Sequence, residues 1–286
     1  MTQQSRDNRS AEGVPDGLWS KCLQCGNMLY QPELRDELYV CRQCGHHQRL
    51  TARERIAITA DESSFHERDA AMRSSDPLHF PGYQDKLRED EENTGLSDCF
   101  VWGECTIEGQ PVALGVMDFS FRGGSMGAVV GEKFARAAEH AMERGVPLVL
   151  FGCSGGARMQ EGIVSLLQMA KTTAVVGEMH RRGAPFIMIY ADPMTAGVFA
   201  SFASVADITI AEQKALVGFA GPRVIEKAFK IKLPPGSHTA EFQHEHGMVD
   251  IVVPRRQLRP LLVRILKLLS PSPQPPIPAP YEERFP

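Results

Sequence analysis

Through the central part of the chain, short apolar runs alternate with amphipathic stretches. Residues 100–107 and 111–119 read as a strand pair that turns at Glu108-Gly109-Gln110. A helical pattern at 128–144 then leads to the apolar run 147–151, and one at 157–181 leads to 185–190. A third, at 196–206, leads to 208–210, and a last helix is expected at 255–269. In the middle helix Met159, Ile163, Leu166, Leu167, Ala170 and Ala174 recur at helical spacing, so that face is expected to be buried. Strands that are apolar throughout and separated by helices imply a sheet covered on both faces. The pattern leaves open an ordinary parallel sheet or a spiral of β–β–α turns.

Towards the N-terminus the pattern weakens. Residues 52–60 read as a short helix, and 61–98, with Pro77, Pro81 and the acidic run Asp90-Glu91-Glu92, as a partly ordered connector. The acidic run reads as a solvated charge face. Residues 1–17 are expected to form a flexible tail and 270–286 a proline-rich one. The main domain is then 99–269, preceded by a small module at 18–50 and a connector at 51–98.

Composition adds mainly exclusions. With 286 residues, 43% hydrophobic and 23% charged, the chain has the make-up of a globular protein. A net charge of −4 gives no global attraction to nucleic acid or an anionic membrane. No run approaches the roughly 18 apolar residues of a membrane span. The first twenty residues lack an apolar signal core, and Asp7, Glu12 and Asp16 argue against a transit peptide. A cytoplasmic protein is expected.

Chemistry enters with the cysteines. Cys22, Cys25, Cys41 and Cys44 form two CxxC pairs with fifteen residues between them. Each CxxC turn aims two thiolates at one point, and four thiolates close a tetrahedral structural zinc site with no open position. Gly26 and Gly45 follow the pairs and allow the positive φ such turns need. The remaining three cysteines, Cys99, Cys105 and Cys153, suggest a reducing compartment rather than a disulfide framework.

Catalysis must lie elsewhere. Two glycine-containing turns follow successive strands, one at Cys153-Ser154-Gly155-Gly156-Ala157-Arg158 and one at Asp192-Pro193-Met194-Thr195-Ala196-Gly197. A turn at a helix start leaves backbone N–H groups unpaired at the positive end of the dipole, where anions or oxyanions bind. Two such turns at neighbouring strand ends would supply one N–H each to a single carbonyl oxygen. Tight packing alone is the competing reading. Phe121-Arg122-Gly123-Gly124-Ser125-Met126-Gly127 is a third glycine-rich stretch, suited to close backbone approach. GCSGG does not match a GxSxG nucleophile elbow and no HExxH occurs, so backbone amides fit better than a catalytic triad.

The stretches LWSKCLQCGNMLY, VCRQCGHHQRLTARER, DFSFRGGSMGAVVGEKFARA, SGGARMQEG, QMAKT, ALVGFAGPRVIE and KLPPG, in this order over about 18–250, resemble the β subunit of the bacterial acetyl-CoA carboxylase carboxyltransferase. The resemblance implies an α/β fold of the crotonase type, a spiral of ββα units, with an N-terminal four-cysteine zinc ribbon. It implies a homologous α subunit in an α2β2 complex, a biotin carboxyl carrier protein and biotin carboxylase as partners. The implied reaction moves a carboxyl group from carboxybiotin on the carrier to acetyl-CoA, giving malonyl-CoA for fatty-acid synthesis. In it carboxybiotin releases CO2, its ureido nitrogen takes a methyl proton, and the enolate attacks CO2. Gly155 and Gly156 would then carry one oxyanion amide and Ala196 and Gly197 the other. Arg158 would orient the turn or meet a CoA phosphate, with an ordinary ion pair as the alternative. Arg122, Gly123, Gly124, Lys133 and Arg223 are further CoA candidates.

Three residues depart from the usual family pattern. Ala196 stands for glycine, Cys153 for alanine or serine, and Phe199 for a small or hydroxylic residue, so a shifted turn and a narrowed pocket are expected. Two alternative functions are a malonyl-CoA or malonate decarboxylase component and a zinc-ribbon nucleic-acid-binding protein. Arg42, Arg49, Arg53 and Arg55 make the end of the zinc module locally basic, which fits nucleic acid as a secondary activity at most.

Overall fold

The computed structural model of the protein describes residues 18–269, so both expected tails lie outside the described residues. The chain divides into two compact units, Met1–Gln48 and Arg49–Pro286. In the first, strands β1 (Trp19–Lys21) and β2 (Met28–Tyr30) pair antiparallel and run into the short helix α1 (Gln31–Asp36). An isolated bridge between Val40 and His47 closes the second cysteine turn.

The second unit is a mixed sheet with helices. It opens with α2 (Ala52–Thr59), in which Thr51 and Glu54 form a reciprocal capping box. Strand β3 (His66–Arg68) and helix α3 (Tyr83–Thr94) follow. The hairpin β4 (Phe100–Ile107) and β5 (Gln110–Met117) leads to α4 (Ala128–Arg144), β6 (Leu148–Ser154), α5 (Ile163–Arg182), β7 (Phe186–Thr195) and α6 (Ala196–Phe199). The chain then continues through β8 (Ile208–Glu212), β9 (Val217–Gly218), α7 (Pro222–Phe229), α8 (Ala240–Glu245), β10 (Ile251–Val253) and α9 (Arg255–Leu269). The sheet order is β10-β8-β7-β6-β5-β4-β3, with β9 paired to the far end of β7. From β5 to β10 every neighbouring pair is parallel, and only the hairpin and β3 run antiparallel. Every residue of β6 is buried, as its apolar run Leu148–Phe151 requires.

Residues 61–98 differ from the expected connector. Tyr83, Leu87 and Leu96 join the hydrophobic core, and Asp61 accepts from the Glu108 and Gly109 N–H groups at the β4–β5 turn. Asp90, expected in a solvated run, is buried and ion-paired with Arg122. Only two apolar side chains, at i and i+4, mark the inward face of α3. That signal is too short to stand out among its charges.

Helix α5 also departs from expectation. Its inward face carries Ser165, Gln168, Thr172, Val176 and Met179, while the apolar set points outward. Met159, Ile163, Leu166 and Leu167 are 80%, 61%, 52% and 58% exposed, and Ala170 and Ala174 are exposed with them. The inward face meets α4 where a Cβ on Gly131 would stand 2.1 Å from Gln168 Oε1. At this close approach the buried face of α5 carries Ser165, Gln168 and Thr172, and turns apolar only further along, at Val176 and Met179. The apolar stripe is left for another surface.

One buried network fixes the loops at the C-terminal ends of the strands. Arg158 is fully buried and donates to both Asp98 carboxylate oxygens, at 2.7 and 3.0 Å, to Ser125 O at 2.7 Å and to Tyr83 Oη at 3.2 Å. Burial disfavours its charge, but the Asp98 carboxylate overrides this and raises the guanidinium pKa well above its usual value. Burial pushes the Tyr83 phenol up to about 12, so it stays protonated and donates to Glu161 Oε1 at 2.7 Å. The other Glu161 oxygen accepts from the Ala128 N–H at 2.6 Å, capping the positive end of α4. A second buried set, Arg55 and Arg255 on Glu212, ties α2 and α9 to β8.

Removing Asp98 takes from the buried cation its bidentate partner and leaves only the more distant Glu161, at 3.5 Å. Asp98→Ala is expected to lower the unfolding free energy by about 3–5 kcal/mol in urea titration. If stability were unchanged and only the KM for a phosphate-bearing substrate rose, Arg158 would be a ligand contact instead.

Candidate active site and zinc centre

The two glycine turns lie side by side because β6 and β7 are parallel neighbours. Their register runs from Leu148 opposite Phe186 to Gly152 opposite Tyr190, then shifts so that Ser154 faces Met194. At that end Thr195 Oγ1 donates to Ser154 O at 3.1 Å, fastening one turn to the other. A Cβ added to Gly156 would stand 2.6 Å from Ala196 Cβ and 3.5 Å from Gly197 N. One added to Gly197 would lie 3.6 Å from Ala157 N. With φ at +117°, Gly156 meets both a conformational and a steric demand for glycine.

The hydrogen bonds redistribute the expected donors. Gly155 N–H donates to Gly123 O at 2.9 Å, and Gly156 N–H to Ser154 Oγ at 3.0 Å. Arg158 N–H donates to Met126 O at 2.9 Å. Among the described residues no acceptor faces the N–H of Ala157, nor that of Gly197 at the start of α6. Two neighbouring donors therefore remain open, one residue further along than expected in the first turn. The alternation of bonds along the loop against Met126 produces this shift. Spacing alone could not reveal it.

Gly123 and Gly124 hold that loop in place, both at positive φ. A Cβ on Gly124 would stand 2.0 Å from Cys153 O, so the strand end and the glycine loop touch backbone to backbone. The basic candidates separate clearly. Arg158 is enclosed by Asp98 as described. Lys133 is buried with Nζ donating to Phe100 O at 3.0 Å, and burial lowers its pKa. Arg122 pairs with Asp90 beside a groove of about 370 Å³ that Ser120, Gly123, Ser125 and Met159 also line. The Arg223 side chain falls outside the described residues.

The three departures from the family pattern are absorbed differently. Ala196 adopts φ of +56°, the left-handed region that glycine would occupy at less cost. Phe199 turns into the core, its ring 5.7 Å from that of Tyr190, and so does not narrow a pocket. Cys153 Sγ donates to Asp192 O at 3.1 Å, and burial pushes its thiol pKa up, keeping it neutral. Sequence reasoning missed Asp98, Glu161 and Tyr83. Of these only Glu161, three residues after Arg158, carried a local signal.

In the first unit the Sγ atoms of Cys22, Cys25, Cys41 and Cys44 lie within 4.8 Å of one another. Cys22 and Cys44 are 3.7 Å apart, and Cys25 and Cys41 3.8 Å. Four sulfurs tetrahedrally placed at about 2.3 Å from zinc are separated by about 3.8 Å, so the donor set fits that ion. Two matched turns build it: Gly26 N–H donates to Cys22 O at 2.9 Å and Gly45 N–H to Cys41 O at 2.8 Å. Both glycines have positive φ. Burial opposes the Cys22 thiolate, but N–H groups of Cys25 and Gln24 aimed at its sulfur outweigh this and bring its pKa down to about 6.

Comparison with known proteins agrees with both units. A carboxyl transferase domain matches residues 45–280 and an acetyl-CoA carboxylase zinc finger domain matches 19–44. The acetyl-coenzyme A carboxylase carboxyl transferase subunit beta of Desulforamulus reducens is 51% identical over 93% of this chain and 92% of its own length. That of Desulforudis audaxviator is 53% identical over 88% and 92%. Among solved structures, transcarboxylase 12S superposes with a TM-score of 0.67 at 29% identity, over 78% of this chain and only 41% of that one. A Pseudomonas malonate decarboxylase hetero-dimer superposes at 0.60 with 25% identity, over 77% of this chain and 86% of that one. These neighbours give the sheet its crotonase-like class. Matched in both units and along nearly the whole length of its relatives, the chain belongs to the family of acetyl-CoA carboxylase carboxyltransferase β subunits.

Proposed function

We propose that the N–H groups of Ala157 and Gly197 hold the thioester oxygen of acetyl-CoA while its methyl group is deprotonated and carboxylated. Loss of the proton moves negative charge onto that oxygen, and two fixed donors stabilise it more than they stabilise the ground-state carbonyl. Carboxybiotin on a carrier protein supplies CO2 and the base. The chain contributes orientation and the oxyanion site, and no side chain has to ionise. The observation that carries this reading is the pair of adjacent, unengaged amides at the paired ends of β6 and β7. The groove beside Arg122 is the part of the described surface suited to a CoA phosphate.

The outward apolar stripe of α5 supports a partner subunit, here the α chain of the carboxyltransferase in an α2β2 complex. The related malonate decarboxylase structure is likewise a hetero-dimer. Biotin carboxylase and the biotin carrier complete the cycle. Among the described residues no helix is long and apolar enough to cross a membrane, and the reaction is assigned to the cytoplasm. The four thiolates hold one structural zinc.

Ala157→Pro deletes the open N–H while leaving the bonds of Gly155 and Gly156 in place. In the assembled enzyme it should reduce malonyl-CoA formation by about two to three orders of magnitude. Ala196→Gly, which relieves the positive φ, is the control and should retain turnover. A folded, assembled Ala157→Pro enzyme with wild-type kcat would remove this turn from catalysis.

Leu166→Glu alters a side chain already half in solvent. The chain should fold normally by circular dichroism yet fail to co-elute with the α subunit in gel filtration. Unchanged assembly would move the interface elsewhere.

Elemental analysis of reduced protein should give one zinc per chain. Cys41→Ala should lose it, leaving the first unit protease-sensitive while the second stays folded.

A further inference from the structure

Helix α5 packs near α6, and one of its side chains lies beside Gly197, whose N–H is open. Met169 Sδ is 3.3 Å from the point where a Cβ on Gly197 would stand, the same point that lies 3.5 Å from Ala157 Cβ and 3.6 Å from Ala157 N. The thioether therefore borders the gap between the donors. Met169 is half-buried and packs against the core, unlike its exposed neighbours Leu166 and Leu167. The Ala196 methyl stands next to the same gap, against Gly156.

We propose that Met169 sets the upper size of the acyl group this enzyme carboxylates, an inference that rests on the carboxyl-transfer reading of the site. With the thioester oxygen between the two N–H groups, the acyl α-carbon lies about 2.4 Å from that oxygen. The CoA sulfur has to lead towards solvent, so the acyl carbon takes the enclosed side. Met169, whose thioether borders the gap, is the large side chain that the acyl group would meet there. Acetyl-CoA presents only hydrogens beyond the α-carbon, whereas propionyl-CoA adds a methyl group that needs the volume of the thioether. A single methylene in an apolar pocket changes relative kcat/KM by about 10–200-fold.

The test uses the enzyme assembled with its α subunit and supplied with carboxylated carrier, with acetyl-CoA and propionyl-CoA as substrates. The wild-type complex should favour acetyl-CoA. Met169→Ala should raise propionyl-CoA kcat/KM relative to acetyl-CoA by about tenfold or more while acetyl-CoA turnover persists. Met169→Leu, similar in volume, should leave the ratio near wild type. An unchanged ratio in Met169→Ala, or a wild-type enzyme indifferent between the substrates, would overturn the inference and leave the carboxyl-transfer reading intact. A wild-type complex that carboxylates neither substrate would overturn that reading and the inference together.

Discussion

The guanidinium of Arg158 lies in the interior of the second unit, and its charge is tolerable there chiefly because Asp98 accepts two of its N–H groups, with Glu161 a further carboxylate at 3.5 Å. The remaining donors are taken by Ser125 and Tyr83, which draws three separate segments onto one cation. Tyr83 passes the connection to Glu161, and Glu161 passes it to the first turn of α4. The turn at 155–158, the glycine loop at 122–127 and the segment before β4 are thus held as one body. Loosening that centre would free the backbone on which the open amides depend.

The choice of backbone donors follows from the same rigidity. An amide N–H in a fixed loop undergoes little reorganisation when charge develops on its acceptor, whereas a side-chain donor must first be ordered. The loop also explains its glycines individually. Gly124 is required by contact with Cys153 O, and Gly156 by its φ and by the Ala196 methyl. Ala196 sits in the left-handed region despite its Cβ, a local strain located at the site itself.

The surface of α5 illustrates a different constraint. A helix with an apolar stripe normally turns it inward, but the buried face of α5 is largely polar at its N-terminal half, with Gln168 packed against Gly131 of α4. Its stripe stays exposed, while Met169 packs against the core beside Gly197. Under the proposed function these adjacent faces would serve assembly and substrate choice.

From its sequence alone the chain determined the alternation of strands and helices from β4 to β8, because apolar periodicity acts within a few residues, whereas β3 and α3 lie in the stretch that read as a connector. The limits of α4 and α9 were legible in this way. The zinc ligands were equally legible, since two CxxC turns need only local geometry to aim their thiolates. Tertiary structure decided which amides stay open, because Gly123 and Met126 engage those of Gly155 and Arg158 from distant positions, while Ser154 takes that of Gly156 locally. It also decided that Arg158 and Lys133 are enclosed, that Tyr83 and Asp98 belong to the core, and that the apolar face of α5 looks outward. Each of these depends on what packs opposite a residue, and periodicity reports that a face is apolar without reporting what it meets.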